Sequence, residues 1–492
     1  MPVTDCHPQY SKHLTSWMRC RDVIAGEDAV KCRGEMYLPK LSGTDENEYR
    51  GYLMRAMFYG AADRTVRGLA GAVLRKAPNV KAPDSLKELL MRFSRDGDTL
   101  EQMSKCVIEE VLGVGRVGLL VDAPDSDGAD PYVAIYFAEN IINWRVEQVN
   151  GIRALTQVVL KESVEEPDPI DQFVTIEIEQ YRVLVLRNIN DKWEYQVELW
   201  RKRLKPVATK GDTHEVEWFV YETSTPTIAG GKSLEFIPFI FVNQTSITPD
   251  VQKGPLLDLV NVNLSHFRTS ADLEHGRHFT ALPTAWVAGF DSRKTRLAIG
   301  SSIAWVSDNP QAQAGFLEFT GAGLGSLQVA MSDKEKLMAV LGARLLEERS
   351  PMAEAAGTVK LRQSGEQSVL AHIAQSVSQA LTTVLRWAIL WKGDTGDASV
   401  ELNQDFNLVG IDSQTLLALM NGVQNGMLSW DVMVYNLKRG ELYPDNWSLD
   451  DERLAIEKGP PVSPVIGIPD STTGPQSEPE PEPESEAKPV DA

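Results

Sequence analysis

The sequence predicts an α+β fold. Apolar residues recur at helical spacing before residue 112 and again after Pro255. Between them, residues 150–243 alternate apolar and polar side chains, as strands with one wet face do. The order is therefore helices, one mostly antiparallel β unit, then helices. The 492 residues suggest two to four domains.

Residues 1–43 hold an amphipathic stretch around Tyr10–Ile24 and then a Gly/Pro-punctuated loop. The spacing of Tyr49, Leu53, Met57, Phe58, Val66, Leu69 and Val73 predicts one helix from Glu46 to about Arg75. Arg55, Arg64, Arg67 and Arg75 accompany it as a solvated basic face. A second helix starts at Pro83-Asp84-Ser85, with Asp84 or Ser85 as its cap, and a third runs from Thr99 to Leu112. Leu119–Val121 and Tyr132–Phe137 read as strands. In the β unit, Trp193, Tyr195, Val197 and Leu199 alternate with Glu194, Gln196 and Glu198. Phe173–Arg187 and Val216–Tyr221 behave similarly, and Phe236–Val242 has the length of a buried strand.

Pro255 suits a first helical turn, and Leu256, Val260, Leu264, Phe267 and Ala271 continue the stripe to about His275. A Gly-rich insert with β character follows: Pro283–Val287, Ser302–Val306 and Gly315–Phe319. The next helix runs from Gly325 to about Glu348, with Leu337, Met338, Leu341 and Leu345 on its stripe. After a polar break at Arg349–Thr358, the longest periodic signal in the chain spans Val359–Lys392. It places Leu370, Ile373, Val377, Leu381, Val384, Ala388 and Trp391 on one face, with Gly365 as a possible kink. Val400–Leu402 reads as a strand. Two or three helices fill Asp412–Lys458, with Asp412 and Ser429 as caps. From Gly459 the chain is rich in Pro, Ser and Glu, and composition predicts disorder.

Net charge is −20; the segment from Gly459 carries seven acids and one lysine, a net of −6, leaving −14 for the body. A chain that wraps DNA needs basic phosphate contacts, so this one is not built to grip DNA over its whole surface. The four cysteines, Cys6, Cys20, Cys32 and Cys106, form no C-x-x-C pair, and reduced thiols are expected. The N-terminus lacks a signal-peptide pattern, and no apolar run approaches the ~20 residues of a membrane span.

The nucleotide-like motifs fail on context. Gly113–Gly118 matches G-x-G-x-x-G, but a helix precedes it and a strand follows, the reverse of a dinucleotide site. A tight helix-to-strand turn explains it instead. Gly230-Gly231-Lys232-Ser233 resembles the end of a P-loop, yet Pro226 stands where a glycine is required and a strand, Leu234–Ile237, is expected after it. Gly321–Gly325 precedes a helix without a P-loop lysine and reads as a hinge. His266, His275 and His278 are the only histidine cluster, without H-E-x-x-H or a carboxylate at ligand spacing. No nucleophile-and-base arrangement is visible. The expectation is a non-enzymatic protein with no cofactor and no metal.

Two further stretches bear on identity. One is Phe58-Tyr59-Gly60-Ala61-Ala62-Asp63-Arg64-Thr65-Val66-Arg67-Gly68-Leu69-Ala70-Gly71. The other is Ile237-Pro238-Phe239, followed by Pro255-Leu256-Leu257-Asp258-Leu259 and His266–Gly276. Together with the element order they resemble the portal proteins, or head-to-tail connectors, of tailed bacteriophages, over roughly residues 45–450. The resemblance implies a fold of wing, stem, clip and helical crown. The N-terminal segment would be 1–43, the wing 44–250 plus 359–405, the stem helices 252–276 and 325–348, and the clip 277–324. The tunnel loop would be 349–358, the crown 406–458 and the acidic tail 459–492. It implies Glu348, Arg349, Met352 and Glu354 at the channel constriction. It puts Trp286, Trp305, Phe316 and Phe319 in the clip, for docking and contacts between subunits. The family forms a ring of about twelve copies at one capsid vertex of the virion. Its partners are the terminase large subunit, a head-tail adaptor, the major capsid and scaffolding proteins, and double-stranded DNA passing without sequence specificity. Assembly would take place in the host cytoplasm, with no membrane involved. The alternative is another virion structural protein, an adaptor or minor capsid component, although adaptors are usually shorter.

Overall fold

The computed structural model describes residues 2–122, 130–206, 214–281, 284–290, 305–317, 321–346, 368–404, 406, 413–439, 450, 453–454 and 458. The chain divides into two units, 1–406 and 407–492.

The first unit opens with helices, three of which start on a side-chain cap. Helix α1 (Pro8–Ala25) begins where the His7 ring accepts a hydrogen bond from Gln9 N at 3.2 Å. Helix α2 (Glu27–Cys32) occupies part of the expected loop. The expected helix from Glu46 to Arg75 is in fact two. Helix α3 (Glu46–Arg55) starts on a capping box between Asp45 and Glu48, and α4 (Ala61–Val73) follows after a break at Ala56–Gly60. After strand β1 (Asn79–Lys81), the helix expected at Pro83 is only a 3-10 turn and the short α5 (Lys87–Met91). Neither Asp84 nor Ser85 caps it; Asp84 pairs with Lys87, and Ser85 donates to Asp394. Helix α6 (Leu100–Gly113) carries the box Thr99–Gln102.

The strands form an antiparallel block. Strands β2 (Arg116–Asp122) and β3 (Tyr132–Phe137) pair with each other. A meander follows: β4 (Ile141–Val149), β5 (Ile152–Pro167), β6 (Thr175–Ile189), β7 (Lys192–Pro206) and β8 (His214–Ser224), in that spatial order. Two-residue strands β9 (Thr227–Ile228) and β10 (Lys232–Ser233) make a small hairpin across Gly230-Gly231. Leu234–Ile237 is a bend rather than the expected strand. Strand β11 (Phe239–Asn243) is wholly buried and completes a three-stranded sheet in which β2 is central.

Helix α7 (Leu257–Ala281) starts later and ends later than the expected 252–276, with Pro255 in the turn before it. Strands β12 (Thr284–Ala288) and β13 (Gln313–Leu317) pair antiparallel. Helix α8 (Leu324–Ala343) follows, then α9 (Val369–Trp391), capped by Ser368, and β14 (Ser399–Glu401), which pairs with β1. Residues 359–367 of the expected long helix, including Gly365, lie outside the described residues. Helix α9 buries Leu370, Ile373, Val377, Leu381, Val384 and Leu385, so the strongest periodic signal in the sequence forms the centre of the core. The second unit contains α10 (Ser413–Gln424) and α11 (Trp430–Arg439), the latter with Ser429 Oγ accepting from Val432 N. No described helix is long and apolar enough to cross a membrane.

The glycine turn at 113–118 is a packing device. A Cβ on Gly113 would lie 2.7 Å from Ile24 Cδ1, one on Gly115 2.8 Å from Gly254 Cα, and one on Gly118 2.3 Å from Phe239 Cζ. Gly115 also has φ +94°, which a side chain resists. The glycines let α6 reverse into β2 while the backbone before α7 crosses it.

Candidate functional site

Helix α7, the β12–β13 hairpin, α8 and α9 form one consecutive block. Apolar residues Leu259, Val260, Leu264, Phe267 and Ala271 bury the inner face of α7. The same face carries the polar residues Asn263, His266 and Ser270, also buried. Two of these explain the break between α3 and α4. Asn263 Nδ2 donates to Tyr59 O at 2.8 Å, and its Oδ1 accepts from Ala62 N at 3.3 Å. Ser270 Oγ accepts from Met57 N at 2.9 Å. Backbone groups freed by the break are thus satisfied from α7. Replacing Asn263 with alanine should cost about 2 kcal/mol, because it leaves the buried Ala62 N–H without a partner, while Tyr59 O still accepts from Ala61 N at 2.7 Å. The urea midpoint of the purified chain measures this; an unchanged midpoint would show that the Ala62 N–H finds another acceptor.

Helix α8 lies against α7 through polar contacts. His266 Nε2 is 3.2 Å from Glu335 Oε1, and Lys334 Nζ donates to Ser265 O at 3.1 Å. Burial holds both His266 and Lys334 below their ordinary pKa values. A Cβ on Gly276 would lie 2.6 Å from Leu324 Cδ2, so this glycine lets the start of α8 approach the end of α7. Within α8 only Met338 is buried. Leu337 and Val340, each 46% exposed, and Val329 form an apolar stripe on the opposite side.

The hairpin projects aromatic side chains on both faces. Trp286 pairs in register with Gly315, and its indole lies over that glycine. Phe316 pairs with Ala285, so it points to the opposite face. Trp286 is 42% exposed and Phe316 57%. Trp305 is half-buried, but it is not in a strand. Ser302–Ala304 and Phe319 lie outside the described residues, as do Glu348, Arg349, Met352 and Glu354 of the expected tunnel loop. The flanks of that loop are described. Leu370 N donates to Leu345 O at 3.1 Å, so the chain leaves after α8 and returns before α9 at one point.

The other sequence candidates dissolve into structure. The three clustered histidines do not converge: His266 faces Glu335, His275 lies beside Tyr52 and Arg55, and His278 meets Phe279 edge-on. No cluster among the described residues could hold a metal ion. Arg67 pairs with Asp63, Arg64 donates to Gly60 O and lies over the Tyr59 ring, and Arg55 contacts His275. The basic face is therefore largely engaged within the subunit. Sequence reasoning missed Arg116, which is fully buried between the Trp144 and Phe241 rings at 4.5 and 4.1 Å. It donates to Pro249 O, and burial lowers its pKa to about 9.

Residues 255–392 match a family model described as a domain of unknown function, DUF4055. No curated protein matches the chain. Among solved structures, the chain is similar to one from the neck of an empty gene transfer agent (GTA) particle computed with C6 symmetry, at 13% identity and a TM-score of 0.35, over 88% of this chain and 99% of that one. A second, from the virion of a native gene transfer agent particle, gives 12% identity and a TM-score of 0.34 over 83% and 96%. A third, from the neck of the native GTA particle computed with C12 symmetry, gives 14% and 0.34 over 78% and 92%. Likeness at this level assigns neither fold nor function.

Proposed function

We propose that the chain is a phage portal subunit, a non-enzymatic ring component through which DNA enters and leaves a capsid. The observation that carries this is the β12–β13 hairpin, which sits between two helices with exposed aromatic residues on both faces. A lone two-stranded hairpin is marginal in water. With Trp286 and Phe316 exposed on its two faces, it gains from neighbours, and identical neighbours around an axis would supply them. The apolar stripe on α8 asks for the same partner.

Helices α7 and α8 then form the stem and the insert between them the clip, where terminase and adaptor dock. The bonded pair Leu345–Leu370 flanks the stretch read as the tunnel loop, and the sheets with α9 form the wing. A net charge of −20 suits a channel that must let phosphates slide rather than hold them.

Purified full-length chain, viewed in negative stain, should show closed rings of about twelve copies with a central hole. Monomer or dimer under every assembly condition would overturn the reading. No ATP hydrolysis sensitive to Lys232 is expected.

A further inference from the structure

The leading end of α1 is fastened by an aromatic stack that contains a buried cation. The His7 ring stacks on Trp144 with centroids 4.0 Å apart. On Trp144 also rests the Arg116 guanidinium, which contacts Phe241 as well. Arg116 Nε and Nη2 have no hydrogen-bond partner. His7 Nδ1 accepts from Gln9 N, so the neutral ring carries its proton on Nε2. The segment before the helix lies along β4, the outer strand of the meander. His7 N donates to Ile142 O at 2.9 Å, and Asn143 Nδ2 donates to Asp5 O at 2.9 Å. Six residues on, His13 stacks near Trp17.

We propose that residues 2–13 are an acid-released clasp: protonation of His7, seconded by His13, frees this segment from β4 and uncovers the outer face of Trp144. A protonated His7 has no lone pair left for Gln9 N, and it sets a second cation beside Arg116. The rest of α1 stays in place, because Trp17, Cys20 and Val23 are buried and Arg21 bridges Glu110 and Glu139.

Burial first, then Arg116, holds His7 below its ordinary 6.5; burial, then Lys12 and Arg116, does the same to His13. A histidine with a lowered pKa in the docked state favours docking above 6.5, and that support is lost as pH falls toward the lowered value. The charged groups around the segment are Arg116 on β2, Lys161 on β5, Glu139 before β4 and Asp250 before α7. On the segment itself are Asp5, Cys6, Lys12 and the buried Tyr10, whose hydroxyl donates to Glu139 O at 3.0 Å, and Tyr181 on β6 faces it; the thiol and phenols titrate far above this range and stay neutral throughout.

Hydrogen exchange of the full chain between pH 7.5 and 5.0, corrected for intrinsic rates, tests this. Protection of residues 5–13 should fall by up to about tenfold per pH unit below 6.5 for each proton taken up, while residues 17–25 hold theirs. His7→Asn caps the helix without titrating, so it should flatten most of the dependence, and His7→Asn with His13→Gln should remove it. Equal protection at both pH values would overturn the proposal. So would an acid loss that persists in the double variant.

Discussion

Gly115→Ala is expected to destabilise the first unit by about 3 kcal/mol or more, and to do so more than Gly113→Ala in the same turn. Two costs add at Gly115. Its φ of +94° lies where a Cβ is strained by about 1–2 kcal/mol. The new methyl would also stand 2.8 Å from Gly254 Cα and 3.3 Å from Gly254 N, which are backbone atoms without a rotamer to change. Overpacking a filled site costs about 1–3 kcal/mol. At Gly113 the obstacle is Ile24 Cδ1, the movable end of a side chain, so the cost there should stay near 1 kcal/mol. Soluble yield and urea midpoints of the two variants measure the order. The contrast also separates two readings of the glycine motif. If Gly115 cradled a pyrophosphate, alanine there would cost ligand binding and leave folding nearly intact. A Gly115→Ala chain as stable as its parent would mean that the crossing of β2 and the pre-α7 backbone gives way easily.

What was legible in the sequence followed from local period. The stripe of α9 and the alternation of β7 are each set by neighbours a few residues apart; Leu370–Trp391 and Trp193–Leu199 lie on the elements the pattern gave them, although α9 starts at the Ser368 cap, inside the expected Val359–Lys392. The break between α3 and α4 was invisible for the opposite reason. Met57 and Phe58 continue the helical spacing, and the groups that stabilise the break, Asn263 and Ser270, stand two hundred residues away. The start of α7 slipped because Pro255 permits a first turn without requiring one. Its neighbour Gly254 is held against Val114 O, and the helix begins after that contact. At the candidate site, Trp286 and Phe316 could be read as strand aromatics, but their placement on opposite faces depends on the register with β13. Arg116 gave no local signal at all. In the sequence it is one arginine in a glycine turn; only the sheet brings Trp144 and Phe241 to its two sides.

Leu337→Glu combined with Val340→Glu should abolish ring formation while leaving the subunit folded. Both side chains stand on the outer stripe of α8, close to half exposed, and the inner stripe of Met331, Met338 and Leu341 is untouched. Glutamate is a good helix former, and exposed substitutions of this kind change stability by about 0.5 kcal/mol or less each. In a ring the same stripe meets a neighbour in every copy. Burying the exposed half of a leucine there contributes about 1 kcal/mol per contact. Replacing it with a carboxylate removes that gain and adds the cost of desolvating a charge, repeated around the circle. Circular dichroism melting should therefore match the parent within a few degrees, while sedimentation should show monomer where the parent shows a large assembly. Rings in the variant would mean that α8 contacts something other than its neighbouring copy. A collapse of the melting temperature would mean that the stripe is covered within the chain itself. Only a loss of assembly with the fold retained fits α8 as the helix that each subunit offers to the next.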